Sequence, residues 1–240
     1  FIIFETLLHL AAKGYIEPKP LSIAMNTNVQ KVRKDYAKRE LKRDDLPNSP
    51  VELLEDWLSA AESTDPDDYN AMCLSSVDET GKPSSRIVLL RSITDQGIRF
   101  FTNYESKKGR DIAVNENVCV NFFWRDWERQ VRITGVASRC TPKVSDDYFA
   151  SRPRASQIGA WTSHQSKSNV EPKIQERIKD AIESFNDAEV IPRPDFWGGY
   201  DLSIETIEFW QGRPSRLHNR WRYRIKNESE GAWNVDLLDP

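Results

Sequence analysis

Apolar and polar residues repeat along this chain with two different periods, and the changes between them mark out its elements. Ser49-Pro50-Val51-Glu52 sets an N-cap serine before a proline at the first helical position and a glutamate at the third, a capping-box arrangement. Leu53, Leu54, Trp57, Leu58 and Ala61 then fall on one stripe, which predicts a helix to about Ser63. A period of two follows in Ala71–Val77, Arg86–Ile93 and Ile98–Thr102, with turns at Asp78-Glu79-Thr80-Gly81 and Thr94-Asp95-Gln96-Gly97, and predicts an antiparallel meander. After a short helix near Ser106–Val114, Val118–Trp124 and Gln130–Val136 read as two further strands. Five or more strands on short turns favour a barrel, because closure removes exposed edges.

The middle of the chain is helical over Val144–Ala150, Ala155–Thr162 and Pro172 to about Asn186, the last with Ile174, Ile178, Ala181, Ile182 and Phe185 on one face. Past Pro192, Pro194 and Gly198-Gly199, strand patterns return at Ile204–Trp210, Arg220–Ile225 and Trp233–Leu237. The expected fold class is α+β, mainly antiparallel β, a barrel fed by both chain halves with peripheral helices. Residues 1–28 receive no assignment, residues 29–48 read as a mobile charged arm, and residues 49–240 read as one domain.

Charge narrows the function. Lys plus Arg number 34 against 37 Asp plus Glu, a net charge of −3, so no global positive field draws nucleic acid. The apolar stretch Phe1–Ala12 is broken by Glu5 and His9 and ends at Lys13-Gly14, short of a membrane span, and it lacks a basic leader; the expected location is cytoplasmic, with no membrane partner. Cys73, Cys119 and Cys140 form no CxxC pair or Cys/His cluster, so they read as reduced thiols, with Cys73 and Cys119 as small buried hydrophobes and no metal expected. Dinucleotide, P-loop, zinc-protease and nucleophile-elbow motifs are absent.

What remains is local positive charge in an acidic chain. Arg213, Arg216, His218, Arg220, Arg222, Arg224 and Lys226 run without an acid between them. Strand alternation puts Arg220, Arg222 and Arg224 on one face, where Arg222 and Arg224 are expected to pair with acids elsewhere. Ser106-Lys107-Lys108 opens a helix just after a strand, where free N–H groups favour phosphate. Arg86 and Arg91 bracket an apolar run, and Arg152-Pro153-Arg154 adds a further cationic point. Scattered cations of this kind point to a small phosphorylated ligand. Gln130, Arg132 and Thr134 share one strand face that looks either into a site or into solvent.

Arg86-Ile-Val-Leu-Leu-Arg91, Phe101-Thr-Asn-Tyr-Glu-Ser-Lys-Lys108, Arg129-Gln-Val131, Tyr148 to Trp161, Gln165-Ser166, Phe196-Trp-Gly-Gly199 and Ile207 to Arg220 together resemble the pyridoxine/pyridoxamine 5′-phosphate oxidase family, in family order from about Arg33 to the C-terminus. The resemblance implies a split β-barrel flavoprotein acting as a homodimer, with FMN held by Arg86, Ile87, Val88, Leu89, Phe101, Thr102, Lys107, Lys108, Gln130, Gln165, Ser166, Trp210 and Arg220. It places the substrate phosphate on Arg91, Tyr148, Arg152 and Ser156, with Arg216 and His218 as catalytic residues beside the pyridine ring, and Arg33 and Tyr36 in a covering arm. The implied reaction oxidises pyridoxine or pyridoxamine 5′-phosphate to pyridoxal 5′-phosphate, with O2 as acceptor and H2O2 released. Three positions depart from the family pattern: Arg91 stands where lysine is usual, Lys107 where arginine is common, and Leu237 at a usually basic place. A related split-barrel flavoprotein with another substrate, and a non-catalytic binder of FMN or pyridoxal phosphate, are the alternatives.

Overall fold

The computed structural model describes residues 35–94, 97–168, 170–227 and 232–240. Within them lie α1 (Pro50–Glu62), β1 (Ala71–Val77), β2 (Pro83–Leu89), β3 (Ser92–Thr94), β4 (Gly97–Asn103), α2 (Lys107–Val114), β5 (Asn117–Trp124) and β6 (Arg129–Arg139). They continue with α3 (Pro142–Ser151), α4 (Arg154–Thr162), α5 (Glu171–Ser184), β7 (Trp197–Gln211), β8 (Asn219–Asn227) and β9 (Ala232–Leu237). The α+β, mainly antiparallel expectation holds, as does every predicted helix to within a few residues. Among the described residues no helix is long and apolar enough to cross a membrane.

All nine strands join one antiparallel sheet in the order β2-β1-β5-β6-β7-β4-β3, with β8 on β7 and β9 on β8. The predicted meander is corrected here. Arg86–Ile93 is not one strand: β2 ends at Leu89, and Leu90 and Arg91 carry the chain from one end of the sheet to the other. Leu90 N–H still donates to Asn70 O at 2.9 Å while Arg91 N–H donates to Arg99 O at 2.8 Å. Two residues suffice for that passage because the sheet curls until its ends meet.

Strand β7 explains why the barrel is split. One edge of β7 pairs with β6 from Tyr200 to Gln211; the other pairs first with β4 (Trp197–Ser203) and then with β8 (Thr206–Gln211). The register slips between Thr134 and Gly135, just where the partner changes. Gly135 is required there: a Cβ on it would sit 1.9 Å from Ser203 O.

The core fills the curl. Leu54, Met72, Leu74, Phe100, Phe122, Val131, Ile133, Ile207, Phe209 and Tyr223 are fully buried, and α1 closes one end with Leu53, Leu54, Trp57, Leu58 and Ala61, the predicted stripe. Ser49 Oγ caps α1 by accepting the Val51 N–H rather than that of Glu52. A second cluster of Phe149, Ala160, Ile191 and Trp197 seats α3 and α4 on β7. The apolar face read on α5 stays largely outside: no α5 residue is buried, and Ile182 is 50% exposed. Cys73 and Cys119 are only half-buried, while Cys140 is buried.

Candidate functional site

A cavity of about 430 Å³ opens where β2, β4, α2, α3, α4 and the loop after α4 meet. Ile87, Val88, Leu89, Arg91, Phe101, Thr102, Lys108, Tyr148, Arg152, Ser156 and Gln165, all expected from the sequence, line it together. Asn103, Gly159, Ala160, Ser163 and Trp197 line it too and were not expected. Trp197 lay in a quoted motif, but only packing shows its use: Phe101 stacks on Tyr148 at 3.8 Å between centroids, and Tyr148 and Trp197 lie 3° from parallel.

The lining contains three cations, Arg91, Lys108 and Arg152, and no carboxylate. Lys108 enters from the first turn of α2, whose N-cap Ser106 accepts the Gly109 N–H. Lys108 is 7% exposed, and its ammonium donates to Gln165 Oε1 at 2.9 Å, Thr102 Oγ1 at 3.2 Å and Ser106 Oγ at 3.3 Å, all neutral oxygens. Burial, and secondarily the charge of Arg86, push its pKa down to about 8. Asn103 orders the turn ahead of the helix by accepting the Glu105 N–H at 2.7 Å and donating to Ser163 O at 3.3 Å.

Arg152 follows α3 and lays its guanidinium over the Trp197 ring, 4.5 Å from the centroid. Its Nη1 is buried with no hydrogen-bond partner, and burial lowers its pKa, opposed by Tyr148 and aided to a smaller extent by Arg91. An unpaired buried donor beside a second guanidinium is costly unless an anion joins them.

The remaining expected residues are not part of the lining. Arg86, next to the lining residue Ile87, bonds Leu74 O, Ser76 Oγ and Ser84 Oγ, and its charge acts on Lys108 inside the cavity. Lys107 turns to Asp111 at 2.9 Å and Asp78 at 3.3 Å and lines a separate hollow with Thr80 and Arg110. Ser166 is exposed beside Gln165 in a left-handed conformation (φ 69°). Arg33 lies outside the described residues.

Gln130, Trp210, Arg216, His218 and Arg220 assemble elsewhere, on β6, β7, the turn between β7 and β8, and the start of β8. Gln130 faces Trp210 and Trp210 faces Arg220 across the ladders. Arg220 Nε is held by Glu208 Oε1 at 2.8 Å, and its Nη1 donates to Asp239 O at 2.8 Å. Two consecutive left-handed residues, Ser215 (φ 55°) and Arg216 (φ 63°), bend the turn that presents Arg216 to solvent. His218 lies 4.6 Å from Trp210 between centroids and accepts the Arg213 N–H on Nδ1 at 3.1 Å, which leaves its proton on Nε2. Burial, then Arg216 and Arg220, lower its pKa, so the ring is neutral at pH 7. Tyr36 meets Trp210 and His218 edge-on at 5.6 and 5.9 Å and lies against Gly212, where a Cβ would come within 2.7 Å of its ring. Glu128, 2% exposed, anchors this part of the arm by accepting the Ala37 and Lys38 N–H groups on Oε2. Arg222 and Arg224 both pair with Asp236 at 3.1 and 2.9 Å, as expected for a solvated face.

Residues 65–183 match the family model described as pyridoxamine 5′-phosphate oxidase, and residues 197–240 match the one described as the pyridoxine 5′-phosphate oxidase C-terminal dimerisation region. The chain is 44% identical over 213 residues to the pyridoxine/pyridoxamine 5′-phosphate oxidase of Mannheimia succiniciproducens, covering 89% of this chain and 99% of that one. It is 45% identical over 217 residues to the protein of the same name from Cytophaga hutchinsonii, covering 90% and 100%. Among solved structures, PhzG from Burkholderia lata 383 in complex with tetrahydrophenazine-1-carboxylic acid superposes with a TM-score of 0.78 at 27% identity, covering 86% of this chain and all of that one. With the split, curled sheet and the cationic cavity in place, these likenesses put the chain in the pyridoxine/pyridoxamine 5′-phosphate oxidase family.

Proposed function

We propose that the protein is an FMN-dependent oxidase that converts pyridoxine 5′-phosphate or pyridoxamine 5′-phosphate to pyridoxal 5′-phosphate, with O2 as acceptor and H2O2 released, the amine substrate also taking up water and losing ammonia, and that it works as a homodimer. The observation that carries this reading is the cavity lined by Arg91, Lys108 and Arg152 without a carboxylate. Its cations come from different elements, Lys108 from α2 and Arg91 and Arg152 from the segments after β2 and α3, which suits two phosphorylated molecules. Lys108, at the start of α2 and bonded only to neutral oxygens, suits the flavin phosphate, with Thr102 and Gln165 beside it. Arg152, with its unpaired Nη1, suits the substrate phosphate together with Arg91, Tyr148 and Ser156.

FMN when bound supplies the redox chemistry, taking two electrons from the C4′ carbon and delivering them to O2. The protein binds and orients. The Gln130, Trp210, Arg216, His218 and Arg220 cluster lies away from the cavity of its own chain and, apart from Gln130, within the segment that matches a dimerisation region. Dimerisation would bring that cluster to the partner's cavity, where Arg216 contributes positive charge near C4′ and the neutral His218 donates from Nε2. Tyr36 would cover the bound substrate from the anchored arm.

The test is the visible spectrum of the FMN-supplemented protein before and after anaerobic addition of pyridoxine 5′-phosphate. Bleaching of the bound flavin band is expected. Failure to bind flavin overturns the cofactor, and bound flavin that does not bleach overturns the substrate.

A further inference from the structure

Asp111 is a feature that neither the fold nor the proposed reaction explains. It is 4% exposed, in the second turn of α2, and its carboxylate makes three hydrogen bonds. Oδ1 accepts from Lys107 Nζ at 2.9 Å, one helical turn back. Oδ2 accepts from Ser76 Oγ at 2.8 Å and Ser84 Oγ at 3.1 Å, two residues that face each other across the β1–β2 ladder.

The proton inventory fixes the direction of every bond. A serine hydroxyl has one proton. The two hydroxyls also lie 3.4 Å from each other, but the shorter contacts to the carboxylate take both serine protons, so both oxygens are left to accept, and they accept from Arg86: Nη1 to Ser76 at 2.8 Å and Nη2 to Ser84 at 2.5 Å. The second Nη1 proton goes to Leu74 O at 3.2 Å. Among the described residues, the Arg86 Nε–H and one Nη2 proton remain without a partner, on the edge of the guanidinium that binds an anion with two donors. Arg86 Nη2 lies 4.0 Å from Asp111 Oδ2, and its charge is felt at Lys108. Burial works against the Asp111 charge, but the bonds from Lys107, Ser76 and Ser84 outweigh it and hold the carboxyl below its ordinary value.

We propose that Asp111 is a positioning residue for the flavin phosphate: through Ser76 and Ser84 it holds Arg86 with one bidentate edge open, and directly it holds Lys107 out of the cavity, leaving Lys108 as the inner cation. The proposal rests on the FMN reading above.

The test titrates FMN and riboflavin, which differ by the phosphate alone, onto apo-protein by flavin fluorescence quenching. In Asp111→Asn one oxygen becomes a nitrogen that can only donate, so the side chain can accept from the serines or from Lys107 but not from both: either the serines turn and compete with Arg86, or Lys107 is released. The FMN Kd is expected to rise about tenfold or more while the riboflavin Kd stays the same. Adding Ser76→Ala to Asp111→Asn should then cost little more, because both act through one chain of bonds. Equal weakening of FMN and riboflavin, or no change in either, overturns the proposal. Should Asp111→Asn not fold, Ser84→Ala carries the same test, with a several-fold rise for FMN alone expected. Wild-type protein that binds neither flavin overturns the FMN reading itself and is told apart by that result.

Discussion

Lys108 Nζ donates to Gln165 Oε1 across 2.9 Å, tying the first turn of α2 to the loop after α4 and setting a buried positive charge against a neutral amide. A carboxylate in that place would neutralise the lysine; an amide leaves its charge for a ligand.

The first prediction follows from that charge. Burial leaves Lys108 with a pKa of about 8, and a bound phosphate favours the charged form and raises it. FMN binding above pH 8 should therefore take up a proton, and affinity should fall as pH rises through about 8. The FMN Kd measured at pH 7 and pH 9 checks this, and Lys108→Met should weaken binding and remove the pH dependence. In the apo-protein the lowered pKa means the unfolded chain binds more protons between pH 8 and its ordinary value, so stability should rise with pH there.

Arg152→Ala should raise KM for pyridoxine 5′-phosphate by roughly 10- to 100-fold, the scale of a lost charge-assisted hydrogen bond. Unphosphorylated pyridoxine should react no differently in variant and wild type. Steady-state kinetics with both substrates, alongside an FMN titration that should be unchanged, decides it.

His218 is neutral because burial and the neighbouring Arg216 and Arg220 lower its pKa. Protonating it would remove the acceptor of the Arg213 N–H. Activity is thus retained above the usual histidine range and lost as pH falls below it, on the acid limb of kcat/KM. In His218→Asn that limb should vanish at the cost of lower turnover.

Gly135→Ala would press a methyl group against Ser203 O, where backbone cannot yield without breaking the β6–β7 register. A loss of about 3 kcal/mol or more is expected. Urea unfolding should show a lower midpoint at the same slope.

Much of the fold was legible because its signals are local. The α1 stripe buries the five residues its spacing named, and Tyr223 fills the core opposite the arginines of β8, as alternation requires. The α5 stripe named its helix correctly, while the face stays largely uncovered: periodicity tells which face is apolar but not whether anything covers it. The site was legible in part. The cations at positions 91, 108 and 152 were visible as positive points in an acidic chain and do converge, whereas Asp111 offered only its four-residue spacing from Lys107.

By itself the sequence determined most of the elements and where positive charge is concentrated, since each depends on residues within a few positions of one another; it missed that Gly198-Gly199 lie inside β7, which starts at Trp197 and not at Ile204, because pairing with β4 extends the strand. Only the tertiary structure decided how β7 divides its edge between β4 and β8, why the chain crosses at Leu90-Arg91, and which cations are already paired. Lys107 is answered by Asp78 and Arg220 by Glu208, while Lys108 meets no carboxylate and Arg152 keeps an unpaired Nη1. Charge pairing depends on distance in space, and strand order brings together residues whose separation along the chain says nothing of that distance.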